Sequence, residues 1–241
     1  MEKEKQVYQM LDQVYDPELD QPLTELGFID HIVIEGSIVE VIFRLPTYWC
    51  SPNFAYIMAE DIHKYVSSLN WVEEVKVNLI DHCASNEINQ GVTKGKAFSE
   101  SLTAFSGSDG DLDELRKTFQ IKAFYARQEK MIKHLLYQLD MTKEKIVSIL
   151  HSDLISLNLS KEGQLIRTKY FEKKNLFNHS SPLAFTTPEG ESLTIESFSD
   201  YLLGAKRTRL SMEFNGHYCR GLLEARYKLP SIKEQESTIN N

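Results

Sequence analysis

The sequence predicts a small α+β sandwich, in the order helix, strand, strand, helix, strand, over the first eighty residues, and a mainly α-helical part after it. Three observations predict this. Apolar residues recur at helical spacing near the start and again after residue 52. Between and after those stretches they alternate with period two. Beyond a Gly, Ser and Asp-rich segment the period-two pattern does not return, and long helical patterns take over.

The elements follow in order. Val7, Met10, Leu11 and Val14 give a helix over residues 4 to 14, and Asp16 with Pro17 stops it. A loop runs through Gly27. "FIDHIVIEG" and "IVEVIFRL" read as two strands joined by a Glu35-Gly36-Ser37 turn, with Val39, Val41, Phe43 and Leu45 on one face. Ser51 is placed to cap a helix that has Pro52 at its first position and Phe54, Ile57, Met58, Ile62, Tyr65 and Leu69 along one side. "VEEVKVNLI" supplies the third strand. Residues 84 to 111 grow polar until "SGSDGD" reads as a linker, which puts a boundary near 106 and divides the chain into residues 1–105 and 106–241. Asp111 or Asp113 can then cap a long helix to about 139, and Thr142 a short one through Leu150. An irregular stretch with Pro182, Pro188 and Gly190 precedes a last helix carrying Leu210, Phe214, Tyr218, Leu222 and Ala225 as an apolar stripe. The tail from Pro230 is expected to fray.

Charge separates the same two parts. Residues 1 to 100 hold seven Lys and Arg against 17 Asp and Glu, whereas the remainder is nearly balanced. With a pI near 5.4, general binding to nucleic acid or to an anionic membrane is excluded for want of cations to neutralise phosphates. No apolar run approaches the roughly 20 residues that span a bilayer. The charged N-terminus lacks the apolar core of a secretory signal, and the three cysteines form no CxxC pair. The expectation is a cytoplasmic protein with free thiols, whose partner is a protein, a metal or both.

Cys50 falls at the joint between the second strand and the second helix. A sulfur there can approach unpaired backbone N–H groups at the positive end of a helix dipole, which favours a thiolate for nucleophilic attack or soft-metal binding. The same cysteine can equally be a small buried hydrophobe beside Tyr48 and Trp49. Asp16 and Glu18 can form a helix-stopping turn in which the aspartate bonds backbone N–H groups, or they can serve the thiol. His82, Cys83 and Glu87 offer ligand types suited to iron or zinc just past the third strand. Adjacent His82 and Cys83 point apart in an extended chain, so one of them at most joins a site, and a surface histidine with an incidental cysteine is the plain alternative. His217 and Cys219, beside the Leu210 to Ala225 stripe, read as core.

"VYDPELDQPLTELGFI", the strand hairpin, "LPTYWCSPNF", a helix and "VKVNLIDH", in that order, resemble the PaaD/SufT family of iron-sulfur cluster assembly factors over about eighty residues. The resemblance implies that Cys50 is the functional thiol, handling iron or an iron-sulfur cluster transiently, with Asp16, Glu18 and Thr47 beside it and His82 and Glu87 as further candidate metal ligands. Tyr48 and Trp49 depart from the small residues common in the family, and the cysteine-rich C-terminal segment of the PaaD branch is missing. "LRKTFQIKAFYARQEKMI" and "NGHYCRGLLEARY" resemble extended relatives that act as accessory proteins of soluble di-iron monooxygenases. Arg116, Arg127, Arg207, Arg209, Arg220 and Arg226 are then available to bind the acidic first part or a client enzyme.

The reading is a non-enzymatic maturation factor that delivers metal to a client metalloenzyme, working with other cluster-assembly proteins or as a homodimer. One cysteine cannot close a cluster site that takes four ligands, so a partner must complete it. Two other classes stand beside it: a metal-free scaffold or chaperone for a di-iron oxygenase, and a thiol enzyme with Cys50 as nucleophile and His82 as base.

Overall fold

The structure, a computed structural model, describes residues 2–102, 112–177 and 181–229. The chain divides into two compact units, Met1–Leu115 together with Glu213–Asn241, and Arg116–Met212. The boundary expected near 106 lies outside the described residues, as does the tail expected to fray beyond Pro230. The end of the last helix belongs to the first unit, which is therefore discontinuous in sequence.

In the first unit, helix α1 (Glu2–Leu11) buries Val7 and Leu11. The segment expected to be a plain loop through Gly27 carries a two-residue ribbon, β1 (Tyr15–Asp16) antiparallel to β2 (Gln21–Pro22), and one helical turn, α2 (Leu23–Leu26). Gly27 ends that turn in the left-handed conformation at φ 73°, which a glycine adopts without a Cβ clash. Strands β3 (Ile29–Glu35) and β4 (Ile38–Arg44) form the expected hairpin, with Gly36 at φ 66° in its turn. Strand β5 (Glu74–Ile80) pairs parallel to β4, giving the sheet order β3-β4-β5. The central strand turns Val39, Val41 and Phe43 into the core, and Leu45 follows them.

Helix α3 (Pro52–Ser67) crosses from β4 to β5 and covers the sheet with Ala55, Tyr56, Ala59, Ile62 and Val66. Ser51 makes no side-chain capping bond; its carbonyl accepts from the Ala55 amide at 3.1 Å instead. Residues expected to lead into a linker form helix α4 (Ser85–Thr93) and the short turn α5 (Phe98–Ser101). Ile88, Val92, Phe98 and Leu102 extend the core, so the polar composition hides a narrow apolar face. Asn89 holds α4 to β5: its side-chain oxygen accepts from the Leu79 amide at 2.8 Å, and its side-chain nitrogen donates to the Leu79 carbonyl at 3.1 Å. A side chain thus pairs backbone groups of an edge strand.

The second unit is helical. Phe124, Met131, Ile132 and Leu135 of α6 (Leu112–Gln138) meet Ile146 of α7 (Lys143–Ser148), Leu154 of α8 (His151–Ser156) and Tyr170 of α9 (Lys161–Leu176). Thr142 caps α7 as expected, accepting from the Lys145 amide. α9 occupies a segment where the sequence pattern gives no helix, because it buries only Gly163 and Tyr170. Several buried polar groups are paired: Gln128 donates to Tyr170 Oη and to the Thr186 carbonyl, both at 2.9 Å, and Arg209 bonds Glu129 at 2.6 Å. Helix α10 (Ile195–Tyr227) begins in this unit and ends in the first. Its expected apolar stripe is not its packed face. Phe214 is 71% exposed and Tyr218 and Leu210 are exposed with it, whereas Ala205, Met212, Gly216 and Leu223 are buried.

Candidate functional site

Parallel pairing puts the C-terminal ends of β4 and β5 at one edge of the sheet, since Arg44 pairs with Ile80. The chain leaves β4 through Leu45 and Pro46, makes a short loop over Thr47 to Cys50, and enters α3. The Thr47 hydroxyl lies 3.3 Å from Cys50 Sγ, and the Trp49 amide donates to the same hydroxyl oxygen at 3.3 Å. The threonine therefore ties the loop backbone to the thiol, which is half-buried. Tyr48 and Trp49 face solvent, Trp49 at 76% exposure, with their rings edge to face 4.9 Å apart.

His82 enters from the end of β5 and is buried. Its Nε2 donates to the Cys50 carbonyl at 2.7 Å, and its Nδ1 accepts from the Ala84 amide at 3.2 Å. Both ring nitrogens thus engage backbone groups, and burial lowers the imidazole pKa, with the Cys50 carbonyl bond opposing and Arg226 reinforcing that direction. The Cys83 amide donates to the Tyr48 carbonyl at 3.0 Å, so one side-chain and one backbone link hold the cysteine loop to the segment after β5. Glu87 is exposed on the first turn of α4.

The acidic turn has its own geometry. One carboxylate oxygen of Asp16, Oδ1, accepts from the Glu18 and Leu19 amides, each at 2.9 Å. This is the backbone-bonding turn that aspartate commonly makes before a reversal. Asp16 is buried, and burial pushes its pKa up to about 6 against the pull of those two amides, with the Glu18 charge adding to the rise.

Residues 4–78 match the family model described as iron-sulfur cluster assembly protein. The match covers less than half of the chain and supports an iron-sulfur cluster assembly domain over these residues. It includes Asp16, Glu18, Thr47 and Cys50, whereas His82 and Glu87 lie beyond the matched residues. No curated protein matches the chain. The match supports a general role in cluster assembly or maturation. None of the described residues belongs to a helix long and apolar enough to cross a membrane.

The cluster-assembly domain is joined by the last turns of α10. Leu223 is 1% exposed within its core, and a Cβ on Gly27 would stand 3.5 Å from Leu223 Cδ2. Gly216 lies so near β2 that a Cβ there would meet Gln21 Nε2 at 2.9 Å. Arg220 donates to Gln21 Oε1 at 3.2 Å. Arg226 donates to the carbonyls of Leu45 at 3.1 Å and Asp81 at 2.7 Å, bridging the residues that follow β4 and β5. Two of the six arginines singled out in the sequence thus bind the acidic part of their own chain. Arg127 and Arg209 instead pair with Glu172 and Glu129 inside the other unit.

Cys219 sits between these anchors and is half-buried. Its thiol pKa is pushed up to about 11, first by burial and then by the negative charges of Asp16, Cys50 and Glu18. Cys50, Cys83 and Cys219 all pack against the same core. Among the described residues no group of three or more His, Cys, Asp or Glu side chains is arranged to hold a metal ion. Cys219, read in the sequence as core, packs against the first core as a half-buried residue.

Proposed function

We propose that this chain is a non-enzymatic maturation factor that carries iron or an iron-sulfur cluster as cargo on Cys50 and hands it to a client metalloenzyme. The observation that supports it best is the half-buried Cys50 thiol, held by Thr47 at 3.3 Å on a solvent-facing loop inside the cluster-assembly domain. Incomplete ligation suits transfer, because a cargo bound by few donors exchanges faster than one in a closed four-ligand site. The exposed Tyr48 and Trp49 beside the thiol suit contact with a recipient, since aromatic residues dominate protein interfaces. The resemblance of residues 111–228 to monooxygenase accessory proteins makes a di-iron monooxygenase component the client to try first. Other cluster-assembly proteins or a second copy of the chain are the sources of the missing ligands.

Anaerobic reconstitution with ferrous iron and sulfide, followed by incubation with an apo-acceptor, tests this. Wild type is expected to take up iron and pass it on, and Cys50→Ser to lose both. Equal uptake and transfer by the variant would overturn the proposal. The hydrogen bond to Cys50 Sγ and the lack of a three-donor group among the described residues favour a second reading, a metal-free scaffold. It requires that Cys50→Ala still support client activation.

A further inference from the structure

We propose that strand β3 is a pairing edge for a second copy of the chain, which joins it antiparallel about a two-fold axis at Val33 and makes one continuous sheet from two three-stranded ones. The pairing needs no cargo, so it stands apart from the reading of Cys50. The two edges of the sheet differ. At β5 the Asn89 side chain engages both the N–H and the C=O of Leu79, which blocks pairing there. At β3 the turn Gly36-Ser37 closes on Glu35 and Ile38, whose backbones bond each other. Alternation from that pair aims the backbone groups of His31, Val33 and Glu35 at β4 and those of Ile32 and Ile34 outward. Among the described residues nothing bonds those outward groups. A bulge between Ile29 and His31 bounds the open segment at one end and the turn at the other. It therefore runs from His31 to Glu35, with Val33 as its midpoint.

Three requirements meet in one register. An antiparallel pair that uses the whole segment sets Val33 opposite Val33. The same register sets Ile32 opposite Ile34, the residues whose outward groups can then exchange N–H···O bonds. It also sets His31 opposite Glu35, twice by symmetry. His31, Val33 and Glu35 share the exposed face of the sheet, where such opposed side chains touch. Doubly protonated, the His31 ring donates from Nδ1 to its own Asp30, 2.6 Å away, and from Nε2 to the Glu35 carboxylate of the second copy. A shift of two residues in either direction sets His31 or Glu35 against Val33 and loses the charge pair. On the other face Ile32 and Ile34, only partly buried against the domain core, gain each other as cover.

Sedimentation equilibrium of the full, metal-free chain over about 1 to 300 μM tests this, and wild type is expected to pass from monomer to dimer in that range. Val33→Lys sets like charges on the axis, and His31→Glu and Glu35→Lys each set two like-charge pairs across it. Each of the three should weaken self-association about tenfold or more. Mixed in equal amounts, His31→Glu and Glu35→Lys bring a glutamate opposite a lysine and a histidine opposite a glutamate. The mixture should therefore associate at least as tightly as wild type, a rescue that misfolded variants cannot give. Amide exchange at Ile32 and Ile34 should slow as wild-type concentration rises. A wild type that stays monomeric throughout overturns the proposal and leaves the edge to a strand of another protein. A dimer untouched by Val33→Lys, a mixture no tighter than its components, or exchange at Ile32 and Ile34 that ignores concentration would each refute the pairing of this edge.

Discussion

Leu223→Ala isolates the contribution of the C-terminal helix to the cluster-assembly domain. Leu223 is 1% exposed, lies more than a hundred residues from the rest of its core in sequence, and packs toward Gly27. Truncation removes buried carbons and leaves a void whose walls include the backbone of Gly27, which cannot close in without disturbing a left-handed turn. Loss of transfer free energy plus the cavity should cost about 3 kcal/mol, within the ~2–5 kcal/mol range of buried Leu→Ala changes. With a urea m-value of about 2 kcal/mol/M, the midpoint should fall by about 1.5 M. The chain has two tryptophans, Trp49 and Trp71, and both belong to the first unit, so tryptophan fluorescence follows that unit alone. Leu223→Met, which nearly conserves volume, should cost less than about 1.5 kcal/mol. A fluorescence midpoint unmoved by Leu223→Ala would refute the packing of this helix into the domain.

Asp16→Asn keeps the oxygen that accepts from Glu18 and Leu19 while removing a buried charge. Because the folded pKa of about 6 is above the ordinary carboxylate value, the protonated carboxyl stabilises the fold below pH 4, and that stability is lost as pH rises through 6. The asparagine variant should therefore melt higher than wild type at pH 7 and about equally at pH 4; no gain at pH 7 would count against the buried charge. Cys219 should alkylate slowly at pH 7, with a rate that keeps climbing toward pH 11, and a plateau below pH 9 would contradict its raised pKa. Trp49→Ala should change stability by less than about 0.5 kcal/mol, given its exposure, while weakening client binding in a pull-down. An undiminished pull-down would remove Trp49 from the interface.

Much of the domain was legible because its signals are local. Period-two alternation at Val39, Val41, Phe43 and Leu45 fixes the central strand, and Pro52 marks the helix start without help from the rest of the chain. The Asp16 turn was readable for the same reason, since it is made by residues within four positions, whereas Thr47 beside Cys50 was implied only by the family resemblance. Helix α4 was not, because the stabilising bonds of Asn89 go to a strand ten residues away and its polar composition imitates a linker. Helix α9 escaped through its nearly polar surface. The last helix misled in the opposite sense. Leu210, Phe214 and Tyr218 advertise a buried stripe, but the packed face uses Gly216 and Ala205, whose small size permits close approach and leaves no hydrophobic signal.

That packed face also decides how the chain's labour can be divided experimentally. Deleting residues 111 to 241 to remove a recipient-binding part would take away Cys219, Leu223 and Arg226, all of which act on the cluster-assembly domain. Lost metal uptake in that truncation would then report a damaged core as readily as a direct part of the helix in holding the cargo. Point substitutions separate them. Arg226→Gln removes a cation and the guanidinium fork that joins the Leu45 and Asp81 carbonyls but leaves every thiol, so it loosens the helix end without subtracting a sulfur. Cys219→Ser subtracts a sulfur and leaves the anchors. If metal uptake falls with the first variant and not with the second, the C-terminal helix acts on the domain by position alone. If it falls only with the second, the helix end tolerates play, and the helix takes a direct part in holding the cargo.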